Sequence, residues 1–189
     1  AVTPRVTCGR CLRCREGQPI YCQDSATFGF QLAGGFAEYV LVPRSGIESG
    51  VLQPVADLLT DEEAALAEPL SCCLRGQKLS RVSRGDTVVV IGGGPVGLMH
   101  CRLARTMGAR RVVLVERQTS RLAAVKLDSI DAVINANHED VKSRVFEVNA
   151  GRGADVVIVA CSSIQAQEQA LSLTRKGARV NFFGGLPAG

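Results

Sequence analysis

Four cysteines near the start of the chain have the spacing of a metal site. Cys8, Cys11, Cys14 and Cys22 are separated by two, two and seven residues. Gaps of two let successive thiolates converge on one tetrahedral ion, and the longer loop brings in the fourth ligand. Because cysteine fills every position, no place is left for water or substrate, so the pattern predicts a closed, structural zinc site. A ferredoxin-type iron–sulfur cluster and a disulfide framework remain alternatives at this point.

A glycine-rich segment in the second half of the chain has the spacing of a dinucleotide-binding loop. Gly92, Gly94 and Gly97 form a G-x-G-x-x-G pattern directly after the apolar run 88–91. The glycines allow a tight turn and a close approach of the backbone to a pyrophosphate, which rests on the N-terminus of the helix that the loop opens. The predicted cofactor contacts of this segment are Gly92, Gly94, Pro95, Val96 and Gly97.

An acidic residue follows at the distance expected for a ribose contact. Glu116 ends the next predicted strand, 19 residues beyond Gly97, where a carboxylate can accept hydrogen bonds from both ribose hydroxyls of the adenosine half. Its charge repels a 2′-phosphate, so NAD is expected in preference to NADP. Arg117 and Arg121 lie nearby and either could instead meet a phosphate, and Arg121 is included among the predicted cofactor contacts. The alternative is a glycine turn that only packs a helix on a strand, with Glu116 in solvent.

A third candidate is a carboxylate at a helix break. Thr60 and Glu63 form a capping-box pattern that predicts a helix start, and Pro69 disfavours the helical conformation at Glu68. Apolar residues flank Glu68, and a buried carboxylate needs a cation or hydrogen-bond donors. From these residues alone, a surface glutamate is the favoured interpretation.

The other histidines and cysteines are not predicted to do chemistry. His100 and His138 are expected to be structural or solvated. Four further cysteines lie among apolar residues and are predicted to be small core residues. They are Cys72, Cys73, Cys101 and Cys161.

These candidates need a scaffold, and the sequence changes character near residue 80. The first part is rich in cysteine, proline and aromatic residues, whereas the second alternates short apolar runs with helix-length polar segments. Runs that are apolar at every position are typical of strands covered on both faces, and strands that alternate with helices pair in parallel. A doubly wound α/β sheet is therefore predicted for the second part. Its predicted strands are residues 88–91, 112–115, 132–134, 156–160 and 180–183.

Composition excludes several classes of protein. The 189 residues are 46% hydrophobic with a net charge of +4, which excludes a disordered chain. The basic residues are scattered, so neither nucleic acid nor a membrane surface is an expected partner. No apolar run is long enough to span a bilayer. No leader pattern precedes the cysteines, and a cytoplasmic location is expected.

Taken together, these residues resemble the zinc-containing medium-chain dehydrogenase/reductase (alcohol dehydrogenase) family. The resemblance is carried, in chain order, by the cysteine group, residues 34–40, Glu68-Pro69-Leu70, the glycine loop and residues 182–187. The sequence is most similar to the sorbitol and threonine dehydrogenase branch. The resemblance implies the C-terminal part of a β-rich, GroES-like catalytic domain over residues 1–75. It implies an NAD-binding Rossmann domain, incomplete at its C-terminus, over residues 76–189.

The resemblance also implies an activity. Such enzymes oxidise a secondary alcohol to a ketone by hydride transfer to NAD, and a catalytic zinc binds the substrate oxygen. The implied substrate is a small molecule, either a sorbitol-like polyol or a threonine-like amino alcohol. Glu68 is implied to lie in or next to the coordination sphere of the catalytic zinc, and Phe183 and Gly184 beside the nicotinamide. The expected assembly is a homodimer or homotetramer, as is common among relatives.

One departure from the family pattern bears on activity. The family's catalytic-zinc cysteine and Gly-His-Glu motif lie upstream of the cysteine group, and residues 1–7 do not supply them. The expectation is a fragment of a dehydrogenase that does not catalyse by itself. The alternative is a non-catalytic dinucleotide sensor or a zinc-lobe interaction module. A zinc-ribbon nucleic-acid binder would need a basic face with exposed aromatic residues.

Overall fold

The chain folds as two units that meet in sequence between Glu68 and Pro69. A computed structural model describes residues 1–186. The last three residues of the second predicted domain, including the end of the 182–187 segment, lie outside the described residues. Within residues 1–186, no helix is both long enough and apolar enough to cross a membrane.

The first unit contains a two-stranded antiparallel ribbon. Strand β1 (Arg5–Thr7) pairs with β2 (Ser25–Thr27), with Val6 opposite Ala26. The connection between the two strands carries the four cysteines, so the ribbon holds both ends of the predicted metal loop. The helical elements of this unit are α1 (Leu12–Arg15), a 3-10 turn (Pro19–Tyr21), α2 (Arg44–Glu48) and α3 (Asp61–Ala65).

A helix break separates α3 from α4 (Ala67–Leu79). The capping box predicted for α3 is confirmed, because Thr60 accepts from the backbone N–H of Glu63 while the Glu63 carboxylate accepts from the N–H of Thr60. Leu66 caps the end of α3. Pro69 falls in the first turn of α4, where its missing N–H would have no helical acceptor. Glu68 therefore lies at the start of a new helix.

The second unit contains a five-stranded parallel sheet. Its strands are β3 (Thr87–Ile91), β4 (Arg111–Glu116), β5 (Ala132–Asn135), β6 (Ala154–Val159) and β7 (Thr174–Phe182). They lie in the order β5-β4-β3-β6-β7, as expected when two βαβ halves wind outwards from a first strand. All five predicted strands are confirmed. β7 begins earlier than predicted because most of its first residues are exposed and none is part of an apolar run.

Helices cover both faces of this sheet. They are α5 (Pro95–Thr106), α6 (Thr119–Ala124), α7 (Val141–Val148) and α8 (Ile164–Ser172). Val88 and Val90 of β3 share one core cluster with Ala104 of α5, whereas Val89 shares another with Val145 of α7. Because alternate residues of a strand point to opposite faces, the two clusters lie on opposite sides. The predicted doubly wound, Rossmann-type α/β fold is confirmed.

The prediction for the four remaining cysteines is partly wrong. Cys73 and Cys101 are buried as predicted, and Cys161 is partly buried, but Cys72 is exposed. Consecutive residues on an α-helix point about 100° apart. Burial of Cys73 therefore does not require burial of Cys72, which points to a different side of α4.

Candidate functional site

The four predicted metal ligands converge. Their Sγ atoms all lie within 4.8 Å of one another. The Cys11 sulfur lies 3.5 Å from that of Cys14 and 3.9 Å from that of Cys22, and the Cys8 and Cys22 sulfurs are 3.6 Å apart. Four thiolates bound at about 2.3 Å to one tetrahedral zinc lie about 3.8 Å apart, so the residues present fit a single ion.

The two alternatives to a single ion fit less well. A disulfide brings two sulfurs to about 2.05 Å, and all four cysteines are free. In an iron–sulfur cluster each cysteine ligates a different position on a multi-atom core, which holds the thiolates further apart than one shared ion does. The geometry therefore favours the mononuclear site over both.

Backbone N–H groups turn inward on this site. The N–H of Cys11 lies 3.4 Å from the Cys8 sulfur, and the N–H of Cys8 lies 3.5 Å from that of Cys22. Hydrogen bonds from the backbone of Arg10 and Cys11 lower the pKa of Cys8 to about 6. The loop conformation thus favours the thiolate of Cys8, which is the form that binds a metal, whereas burial raises the pKa of Cys14 to about 12.

The glycine loop connects β3 to α5. Each of the three glycines in the pattern is favoured at its position for a different structural reason. Gly92 has a φ of +109°, which favours glycine. A methyl group at Gly97 would overlap the carbonyl oxygen of Gly92, so this glycine lets the helix start close against the strand. Gly94 is the N-cap of α5, followed by Pro95, and a methyl group there would meet nothing closer than Arg121 Nη1 at 3.7 Å. Of these three glycines, Gly94 is the one where an added methyl group would make no contact shorter than 3.7 Å, so a pyrophosphate could approach the backbone there.

Glu116 fastens this loop to β4. It is 5% exposed, so the alternative that places it in solvent is wrong. One carboxylate oxygen accepts from the N–H of Gly93 at 2.6 Å, and the other from the N–H groups of Arg117 and Gln118 at 2.7 and 2.8 Å. Arg121 Nη1 lies 3.5 Å away. Burial raises the pKa of Glu116, but these donors outweigh it and hold the pKa below its ordinary value.

A cleft of about 380 Å³ opens beside Glu116, at the carboxyl ends of β3, β4 and β6. It brings together three of the predicted contacts, Gly92, Glu116 and Arg121. Sequence reasoning missed the opposite wall. It includes Asn137, Cys161, Ser162, Ser163, Gln165 and Gln169. The available signal was position, because residues that follow β5 and β6 share the carboxyl edge of the sheet with the glycine loop.

The residues predicted beside the nicotinamide follow β7 at this same edge. Phe183 is partly buried, and Gly184 donates its N–H to the carbonyl oxygen of Val159 at 2.8 Å. A methyl group at Gly184 would overlap the backbone of Cys161. The described lining of the cleft does not include Phe183 or Gly184, and their cofactor role stays a prediction.

Glu68 is exposed in the first turn of α4. Among residues 1–186, the cysteine group is the one set of three or more metal-ligating side chains that converges, and Glu68 is not part of it. By the resemblance, its partner ligands would lie upstream of the cysteines. A role at a catalytic zinc therefore stays a prediction.

Known protein families match both units. Residues 1–49 match the model of the alcohol dehydrogenase GroES-like domain. Residues 95–189 match the model of the zinc-binding dehydrogenases. The first match covers the cysteine group, and the second begins at the first residue of α5.

Individual relatives agree with these matches. The chain is 33% identical over 187 residues to the L-threonine 3-dehydrogenase of Pyrococcus horikoshii, covering 99% of this chain and 52% of the relative. It is 30% identical over 185 residues to the sorbitol dehydrogenase of Bacillus subtilis, covering 97% and 51%. The chain thus spans about half the length of the curated relatives it matches.

A solved structure from Sinorhizobium meliloti, described as a zinc-binding dehydrogenase bound to NADP, has a similar fold. The TM-score is 0.88 and the sequences are 34% identical. The similarity covers 100% of this chain and 54% of that one.

Proposed function

This chain belongs to the zinc-binding dehydrogenases, the zinc-containing medium-chain alcohol dehydrogenases, and we propose that it is the part of such an enzyme that binds NAD and a structural zinc. The proposed division is a GroES-like part over residues 1–75 and an NAD-binding domain from residue 76. The whole enzyme would oxidise a secondary alcohol to a ketone. Relatives named threonine and sorbitol dehydrogenase support a small polyol or amino alcohol as substrate. A homodimer or homotetramer is proposed from the family resemblance alone.

The dinucleotide proposal rests mainly on one observation. Gly92 of the glycine loop and Glu116 line the same cleft. The N-terminus of α5 is open at Gly94, where backbone N–H groups and the helix dipole favour a pyrophosphate. The adenosine half would lie in the cleft, with its ribose near Glu116. The strand order reverses between β3 and β6. The nicotinamide half would lie beyond this point, over the carboxyl ends of β6 and β7.

The proposed preference for NAD over NADP rests on charge. The lowered pKa of Glu116 keeps its carboxylate ionised at neutral pH, and a 2′-phosphate beside it would add like charge. Among the described residues, Arg121 is the one cationic side chain that forms an ion pair with Glu116 within 4 Å. NADP would bind well only if Arg121 left Glu116 to meet the phosphate.

The cysteine group is proposed to hold the structural zinc. In the whole enzyme, a second, catalytic zinc would bind the substrate oxygen and lower its proton affinity, which favours hydride transfer to the nicotinamide. Glu68 is proposed to lie in or next to the sphere of that ion. Because residues 1–186 bring together no second group of three metal-ligating side chains, we expect no alcohol oxidation by the 189 residues alone.

The substitution Gly94→Ala tests the dinucleotide proposal without disturbing the fold. The added methyl group has room in the free protein, with 3.7 Å to its nearest neighbour, but stands where the backbone must approach a pyrophosphate. We expect saturable NAD binding by the wild-type chain and about tenfold weaker binding by the variant, a difference of about 1.4 kcal/mol. Thermal unfolding of the two proteins should be the same.

Gly35→Ala is the matched control, because its methyl group would meet no atom within 4 Å. It should change neither unfolding nor NAD affinity. Failure of the wild-type chain to bind NAD, or equal affinity in wild type and Gly94→Ala, would contradict the proposal.

A further inference from the structure

A buried polar pair lies behind the carboxyl edge of the sheet. His100 of α5 and Gln77 of α4 are both 0% exposed. Burial lowers the pKa of His100 to about 4, so its ring is neutral at neutral pH. Neither residue lines the cleft described above, and the proposed cofactor contacts do not include them.

Gln77 holds the His100 ring in one orientation. Its Nε2 atom donates to the carbonyl oxygen of His100 at 2.7 Å and lies 3.2 Å from ring atom Nδ1. A neutral histidine accepts at Nδ1 when its proton is on Nε2. One amide group therefore binds both the backbone and the ring of residue 100, and rotation of the ring would break this contact.

The held ring packs against Phe183. The two ring centroids are 4.6 Å apart and the planes meet at 82°, an edge-to-face arrangement. Helix α4 makes room for the phenyl ring at Gly76, where a methyl group would come within 2.9 Å of Phe183 Cδ2. Asn181 ties the same end of β7 to α4, since its Nδ2 donates to the carbonyl oxygen of Gly76 at 3.0 Å and to Ser80 Oγ at 2.8 Å.

These contacts fix the backbone where β7 ends. Phe183 is held from α5, Asn181 from α4, and Gly184 from Val159 of β6 at 2.8 Å. In a doubly wound sheet of this strand order, one half of a dinucleotide lies over the strands on one side of the switch point and the second half over those on the other. The backbone at Phe183 and Gly184 therefore stands at the edge that the nicotinamide half would meet.

We propose that His100 is a positioning residue, which packs edge-on against Phe183 and thereby sets the Phe183–Gly184 backbone against which the nicotinamide half of the cofactor rests. The inference deepens the proposed NAD binding and rests on it. His100 acts through Phe183 and does not itself touch the cofactor.

The test compares NAD with ADP-ribose, which lacks the nicotinamide, by isothermal titration calorimetry on the zinc-loaded 189-residue chain. The wild type should bind NAD more tightly than ADP-ribose. His100→Ala and Phe183→Leu should each weaken NAD binding about fivefold, the scale of one lost edge-to-face contact, and change ADP-ribose binding less than about twofold. The double variant should lose no more than the larger single effect, because residues that act through one contact are not additive.

Thr87→Val is the control for general destabilisation. It removes a buried hydrogen bond from Thr87 Oγ1 to Asn149 at 3.0 Å, at the amino end of β3, opposite the proposed site. Its ratio of NAD to ADP-ribose affinity should equal that of the wild type. If His100→Ala leaves a cavity too large for the unit to fold, His100→Gln takes its place in the cycle, since it removes the ring but fills most of the space.

The outcomes separate the two proposals. If the wild-type chain binds neither ligand, the proposed function fails. If it binds NAD and ADP-ribose equally, if His100→Ala weakens both equally, or if the His100 and Phe183 effects add in full, the positioning role is overturned while the proposed dinucleotide site stands.

Discussion

Replacing Glu116 with glutamine should affect both the stability of the second unit and its affinity for NAD, because both depend on the two oxygen atoms of this carboxylate. The amide has the shape of the carboxylate, and its oxygen can keep the bonds from Arg117 and Gln118. In the wild type, one carboxylate oxygen lies 2.6 Å from the backbone nitrogen of Gly93 and accepts its hydrogen bond. In the variant the amide nitrogen takes the place of that oxygen, so two donors face each other and the hydrogen bond is lost. Losing one buried hydrogen bond to a charged acceptor costs about 1.5–3 kcal/mol. The ion pair with Arg121, whose side chain is 47% exposed, adds at most about 1 kcal/mol.

The expected loss for Glu116→Gln is therefore about 2–3 kcal/mol in the free energy of unfolding of the second unit. Urea denaturation followed by circular dichroism is the suitable assay, since the chain has no tryptophan. NAD affinity should fall as well, by about tenfold, because the loop and the ribose contact depend on this carboxylate. Glu168→Gln, on the exposed surface of α8, is the matched control and should change stability by less than about 0.5 kcal/mol. A Glu116→Gln protein with wild-type urea midpoint and wild-type NAD affinity would show that the Glu116 carboxylate neither stabilises the loop nor contributes to NAD binding.

Three further results are expected. Removing the metal with a chelator should expose the first unit, which contains Cys8, to limited proteolysis and leave the second unit protected. Identical digestion with and without chelator would argue against a structural metal. Gly97→Ala should lower the free energy of unfolding of the second unit by more than about 3 kcal/mol, because its methyl group overlaps the Gly92 carbonyl oxygen. Cooperative urea unfolding of this unit at wild-type stability would be incompatible with the loop geometry. Burial lowers the pKa of His100 from 6.5 to about 4, so the unfolded chain binds a proton at this side chain more readily than the folded one. The free energy of unfolding should therefore be highest above about pH 6.5 and about 3 kcal/mol lower at pH 4. Urea titrations at both pH values should show a smaller loss for His100→Gln, and an equal loss in both proteins would contradict the shifted pKa.

Features with local sequence signals could be predicted. The capping box at Thr60 and Glu63 depends on two side chains three residues apart, and the strands of the sheet depend on runs such as residues 88–91 that are apolar at every position. The glycine loop is likewise local, because the turn between β3 and α5 is fully contained in residues 92–97. In each case the residues that decide the structure lie within one element or one turn.

Features that depend on residues distant in sequence could not be predicted. The triple hydrogen bonding of Glu116 includes Gly93, 23 positions away, so it requires the pairing of β3 with β4. Gln77 lies on α4, His100 on α5 and Phe183 directly after β7, and no spacing rule connects them. The prediction for Cys72 is wrong for a related reason, since apolar neighbours in sequence do not show which face of α4 meets the core.

The cysteine group shows how geometry adds to spacing. The gaps between Cys8, Cys11, Cys14 and Cys22 are compatible with zinc, an iron–sulfur cluster or disulfides. Sulfur atoms 3.5–3.9 Å apart are too distant for a disulfide and too close for a cluster core. With all four sulfur atoms within 4.8 Å of one another, the geometry favours a single tetrahedral ion over the other two alternatives.

We propose above all that this chain binds NAD through the glycine loop and Glu116. Calorimetric titration of the zinc-loaded chain with NAD, and with NADP under the same conditions, tests it most directly. We expect saturable binding of NAD at one site per chain and weaker binding of NADP. No NAD binding, or tighter binding of NADP than of NAD, would contradict it.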